Sequence, residues 1–211
     1  MQNTPDSAAL ATRFRIRWWF ANAIGFTAGH VVYSIVGHGV TGPHGDQLTT
    51  TQYLAHTLGL IATALIVFSL QRAALRPYVQ VSAARIIIGT GGFVAAFWLG
   101  AETSGPPADW ILGFTVLGTA SWIGLSNVPR YPFVAAAITV LAVWAGIAVA
   151  VATMFLSVRL AGFNPDSQTL MNHTVFWVLL GGVTGIAGGC FSAWPLRHVV
   201  FFNVPKNAEV H

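Results

Sequence analysis

Charge is what this sequence has least of. Only 8% of its 211 residues are Asp, Glu, Lys or Arg, about a third of the share in an ordinary soluble domain. None of these falls in the middle of a long apolar run. That argues against a proton or sodium pump built on a buried carboxylate, and against retinal held by a mid-membrane lysine. Cysteine is almost absent too. The lone Cys190 cannot close an internal disulfide and reads as a small apolar packing residue.

Familiar chemical motifs are also missing. There is no Gly-x-x-x-x-Gly-Lys phosphate loop, no dinucleotide fingerprint after a strand and no fixed-spacing metal motif. IGLSNV offers Ser126, but at the opposite membrane edge from His173. His198 shares that edge with no acid or oxyanion loop beside it. No catalytic constellation emerges, so the expectation is a protein that is not an enzyme.

What is abundant is apolar sequence, 55% of the chain. Six long runs stand out, at about 18–40, 53–71, 84–101, 110–128, 133–157 and 174–196. Each is close to or above the roughly 20 residues a helix needs to cross about 30 Å of hydrocarbon. The sequence therefore predicts an all-α, polytopic transmembrane bundle of six helices, with 1–211 as a single integral membrane domain. Nine of the ten Lys and Arg residues fall on one side of this alternation, with only Arg159 on the other. The basic side is cytoplasmic by the usual bias, which puts both termini inside, and the short loops and Trp-rich, Arg-ended helices suggest a bacterial inner membrane. The net charge of +4 is then a topology signal spread over short loops, and no nucleic-acid partner is expected. The basic head and first run resemble a signal peptide, but the run is too long and no A-x-A site follows, so retention is expected.

The even runs end alike. GLIATALIVFSLQRAALR, GFTVLGTASWIGLSNVPR and GGVTGIAGGCFSAWPLR each begin at an outer glycine and reach a cytoplasmic arginine. The odd runs hand over to GVTGPHGDQ, ETSGPPAD and GFNPDSQ, loops built from turn residues. Three tandem, parallel helical hairpins are the simplest account. The SLQRAALR ending and this paired-helix rhythm resemble uncharacterised bacterial six-span membrane proteins over about half the chain. That resemblance implies no particular activity, cofactor or site.

Helices in lipid associate through close packing and interhelical hydrogen bonds. Gly25 and Gly29 in the first run, and Gly181, Gly185 and Gly189 in the sixth, form grooves for another helix. That helix could belong to this chain, to a second copy or to another membrane subunit. Trp18, Trp19, Trp122 and Trp194 read as an inner aromatic belt, and Trp98, Trp110 and Trp177 as an outer one.

One apolar stretch keeps being interrupted: TAGHVVYSIVGHG, residues 27–39. At 100° per residue, Thr27, His30, Ser34, His38 and Thr41 fall within about 80°, with Ala23 on the same side. Two readings of this stripe stand. It lines a wet pocket open to the outer side, or it hydrogen-bonds neighbouring helices. The pocket reading adds His56, Glu102, Asp109 and His173 from the outer ends, and implies a small-solute-binding or permease-type protein. The second reading fits a non-catalytic accessory or scaffold subunit. A third possibility is a metal- or haem-binding redox protein. Its weak candidate ligands are His38, His44, Asp46, His56 and His173, and no particular cofactor is expected.

Overall fold

The computed structural model describes residues 5–39, 49–102 and 170–202, together with single positions between 116 and 159, which are all helical. Four long helices organise them. α1 is Pro5–Ser34 and runs directly into a π-helical turn, Ile35–Gly39. α2 is Thr50–Leu75, α3 is Ala84–Glu102 and α4 is Leu170–Phe202. No strand occurs among the described residues. Ala8–Gly37, Thr50–Leu75 and Thr174–Trp194 are each long and apolar enough to cross a membrane, while the apolar part of α3, Ala84–Leu99, is shorter. The six-helix count is not decided by these elements, because the runs at 110–128 and 133–157 lie outside the described residues apart from the single helical positions.

The ends of the helices follow from local chemistry. Pro5 starts α1 where a missing N–H costs nothing, and Asp6 sits at the positive end of the helix dipole. Thr49 caps α2 in a reciprocal box. Its hydroxyl accepts from the Gln52 N–H at 3.3 Å, and the Gln52 side chain accepts from the Thr49 N–H at 2.8 Å. Between α2 and α3 the chain is pinned by Arg72, whose Nε donates to the Val81 carbonyl at 3.1 Å.

α1 is the hub. It packs most extensively against α4 and next against α2, and α2 in turn packs against α3. The segment of α1 ahead of the apolar run is no solvated head. Phe14 and Trp18 are buried with Leu75, Val81 and Leu196 in one cluster that α1, α2, α4 and the α2–α3 connection all share. Trp18 is therefore an interior residue, which corrects its assignment to the inner belt. A large apolar ring looks the same in sequence whether it meets lipid or core.

The surface is inside out by the standards of water. Ile87 is 74% exposed and Met171 78%, and Ile16, Phe20, Ile24, Leu54 and Leu58 are exposed too. Meanwhile Asn22, Ser34, His56, Thr63, Gln71 and Arg85 are buried. Water would expel such an arrangement, whereas lipid accepts apolar side chains outside and drives polar ones together. The fold is compatible with an integral membrane protein.

Candidate functional site

The stripe forms one face of α1, and that face meets α4. Near its inner end, Ala23 lies under Gly185, where a Cβ would stand 3.0 Å from the Ala23 Cα and 2.5 Å from the Asn22 carbonyl oxygen. Thr27 donates to the Ala23 carbonyl at 2.7 Å, and its Oγ1 would be 3.4 Å from a Cβ on Gly182. One turn on, the His30 Nδ1–H donates to the Phe26 carbonyl at 2.8 Å. Its ring stacks on Trp177, with centroids 5.8 Å apart and planes 26° apart. Gly181 makes this possible, since a Cβ there would meet His30 Nδ1 at 2.6 Å. Ser34 closes the series with a 2.9 Å hydrogen bond to the Thr174 hydroxyl of α4.

Beyond Ser34 the expectation of an unbroken α-helix through His38 is corrected. Ile35–Gly39 winds as a π-helix, so His38 does not keep the α-helical register of the stripe. The physical reason is local. Gly37 and Gly39 hold the α-helical backbone weakly, and Gly37 faces His56, whose ring would be 2.9 Å from a Cβ at that position. His38, Glu102 and His173 are placed in helices by their backbone, but their side chains are outside the described set. Asp109, His44, Asp46 and Thr41 lie outside the described residues altogether.

His56 is brought in. It is buried, and its Nδ1 shares a 2.9 Å hydrogen bond with the Tyr33 hydroxyl. The Tyr33 ring meets Trp177 edge-on at 5.0 Å and Phe97 at 6.0 Å. Thus His30, Tyr33, His56, Phe97 and Trp177 form one aromatic cluster drawn from α1, α2, α3 and α4. Because a carbonyl can only accept, the His30 Nδ1 carries a proton. Among the described residues, no three His, Cys, Asp or Glu side chains converge as metal ligands would.

A second constellation lies toward the opposite end. Asn22 Nδ2 donates to the Trp18 carbonyl at 2.8 Å, and Gln71 Nε2 donates to Asn22 Oδ1 at 2.9 Å. Arg85 Nη2 donates to Gln71 Oε1 at 3.1 Å. Trp18 Nε1 donates across to Ser192 of α4 at 2.8 Å. Arg85, expected among the loop arginines, is buried at the start of α3. The correction has a plain cause. Its long side chain reaches into the bundle, where Gln71 Oε1 accepts from Nη2 and Gln71 is itself held by Asn22. Sequence reasoning missed Asn22, Gln71 and Tyr33 as well. The available signal was that Ala11, Phe14, Trp18, Asn22, Gly25, Gly29 and Tyr33 recur every three or four residues as a second face of α1.

That second face meets α2. A Cβ on Gly25 would touch the Val67 Cα at 3.2 Å, and one on Gly29 would meet Thr63 Cγ2 at 2.6 Å. The Thr63 hydroxyl donates to the Gly29 carbonyl at 2.7 Å and the Gly59 carbonyl at 2.8 Å. Gly189 faces Trp19 in the same way. All five grooved glycines, Gly25, Gly29, Gly181, Gly185 and Gly189, meet another helix of this same chain.

Fold and surface together define a class, the α-helical proteins whose packing suits a lipid solvent. No known protein family, curated protein or solved structure matches the chain.

Proposed function

We propose that this chain is a non-catalytic integral membrane subunit, a glycine-packed helical scaffold that joins a larger membrane assembly. The observation that carries this reading is the closeness of the α1–α4 seam. Gly181 and Gly185 bring the two backbones so near that even a methyl group does not fit. Thr27, His30 and Ser34 spend their hydrogen bonds within the bundle, which leaves no width for a solute path between them. With the glycine grooves filled from within, the surfaces left for lipid or partner helices are the large apolar faces. The basic inner loops support cytoplasmic termini, and the short loops with Trp-rich, Arg-ended helices support a bacterial inner membrane.

A second reading has its own observation. π-helical turns accumulate at functional sites, and the one at Ile35–Gly39 includes His38 in its backbone and sets Gly37 against the buried His56. In this reading the solute site begins above Ser34 and takes His38, His56, Glu102, Asp109 and His173.

The test is gentle purification from the native membrane, with an absorption spectrum, elemental analysis and native mass spectrometry. The same is done for a His30→Gln and Ser34→Ala double variant. The scaffold reading expects stoichiometric protein partners, no bound metabolite, and a variant that is less stable with the same composition. A lone chain carrying a stoichiometric metabolite, metal or haem would overturn it, and its loss from the double variant would place the site on the stripe.

A further inference from the structure

We propose that α1 and α2 form a binding groove for one anionic glycerophospholipid of the inner leaflet. The groove is shallow and open, with a volume of about 340 Å³, and is lined by Ile16, Arg17, Phe20, Ala21 and Ile24 of α1 with Leu70, Ala73 and Ala74 of α2. Its volume lies at the lower end of the roughly 300–1,000 Å³ typical of small-molecule sites. Seven of its eight lining residues are apolar and one is a cation. From Ile16 to Ile24 the α1 wall rises about 12 Å, enough for the upper part of one acyl chain.

The charge sits at one end only, and that end is where the basic residues gather. Arg13 is one turn below Arg17 on the same strip of α1, and Arg76 follows Ala73 by three residues on α2. All three are exposed. Because α1 and α2 are antiparallel neighbours, the start of one and the end of the other lie level. An apolar slot with Arg17 in its wall, and with Arg13 and Arg76 exposed at the same end of the two helices, is complementary to an acyl chain below a phosphate. Arginine holds phosphate oxygens in a forked, two-bond geometry, and basic pockets between membrane helices on the cytoplasmic side take anionic headgroups. This inference shares only the membrane orientation with the proposed function. It stands whether the chain is a scaffold or a solute carrier.

The experiment uses the full chain in nanodiscs of phosphatidylcholine doped with phosphatidylglycerol, released into native mass spectrometry. Wild type is expected to retain one phosphatidylglycerol in preference to phosphatidylcholine. Each basic side chain near the surface contributes a factor of about five, so Arg13→Gln/Arg17→Gln/Arg76→Gln is expected to lose the preference by more than about tenfold. Arg15→Gln removes a positive charge from a different face and is expected to keep it. Ala73→Trp fills the slot and is expected to lose retention of both lipids, with circular dichroism confirming an intact helical fold. Equal retention of the two lipids by wild type, or an unchanged preference in the triple arginine variant, overturns the proposal. So does a dimer or partner complex that retains no lipid.

Discussion

Gln71→Leu is the most informative single change in this molecule, because one amide satisfies two buried groups at once. Its Nε2 donates to Asn22 at 2.9 Å and its Oε1 accepts from Arg85 at 3.1 Å. Replacing it with a side chain of similar volume removes both bonds and leaves the Asn22 side-chain Oδ1 and an arginine N–H without that partner. A stranded buried polar group costs about 1–3 kcal/mol, more when charged, so the expected loss is about 2–5 kcal/mol. Were water able to reach the network, the loss would fall toward the roughly 0.6 kcal/mol average for interhelical bonds in lipid. The measurement is reversible unfolding of the full chain by steric trapping in bicelles. A triple change, Asn22→Leu, Gln71→Leu and Arg85→Met, separates the two explanations. With Asn22, Gln71 and Arg85 all replaced, none of these three groups is left stranded, and apolar replacement of a buried polar set is often neutral or better. The triple variant should therefore be more stable than Gln71→Leu alone. A single-variant loss below about 1 kcal/mol, or a triple variant equal to the sum of its parts, refutes the dry network.

Three further outcomes can be checked with the same preparation. Gly185→Ala, whose methyl would stand 2.5 Å from the Asn22 carbonyl oxygen, is expected to cost about 1–3 kcal/mol by overpacking. Gly91→Ala has no described atom within 4 Å and is expected to gain up to about 1 kcal/mol from helix propensity; equal effects at the two sites would refute the seam. Thr63→Val, which keeps the shape and loses the bond to Gly29, is expected to cost about 0.6–1.7 kcal/mol, and Thr63→Ser to restore most of it. Nitrogen NMR of His30 is expected to report a protonated Nδ1 and an unprotonated Nε2, and the opposite tautomer would remove its bond to Phe26.

Different parts of this architecture were legible to different degrees, for reasons the residues make plain. The starts and ends of α2 and α3 follow the apolar runs at 53–71 and 84–101 closely, because hydropathy is a local property. The stripe of Thr27, His30 and Ser34 was legible as a face because α-helical geometry is periodic. What that face meets was not legible. A threonine beside water and a threonine beside a glycine of α4 are the same letter. The head of α1 was misjudged because Arg13, Arg15 and Arg17 dominate any hydropathy window. Yet Phe14 among them and Trp18 directly after them are buried.

The inner network was hidden for a sharper reason. Asn22, Gln71 and Arg85 contribute one polar residue per helix, so no helix carries a pattern. Each is close enough to a span end to pass as interfacial. Only their convergence makes them a unit, and convergence is set by helix docking, which Gly25, Gly29 and Gly185 control. Small residues fix how near the backbones come, and that distance decides whether three isolated amide and guanidinium groups can reach one another. The glycines are thus the cause and the polar network the consequence. Widening the α1–α4 seam at Gly185 should consequently loosen the Asn22–Gln71 bond on the far side of α1. In a double-mutant cycle, Gly185→Ala and Gln71→Leu should couple by at least about 0.5 kcal/mol. Strict additivity would mean that the two faces of α1 are independent.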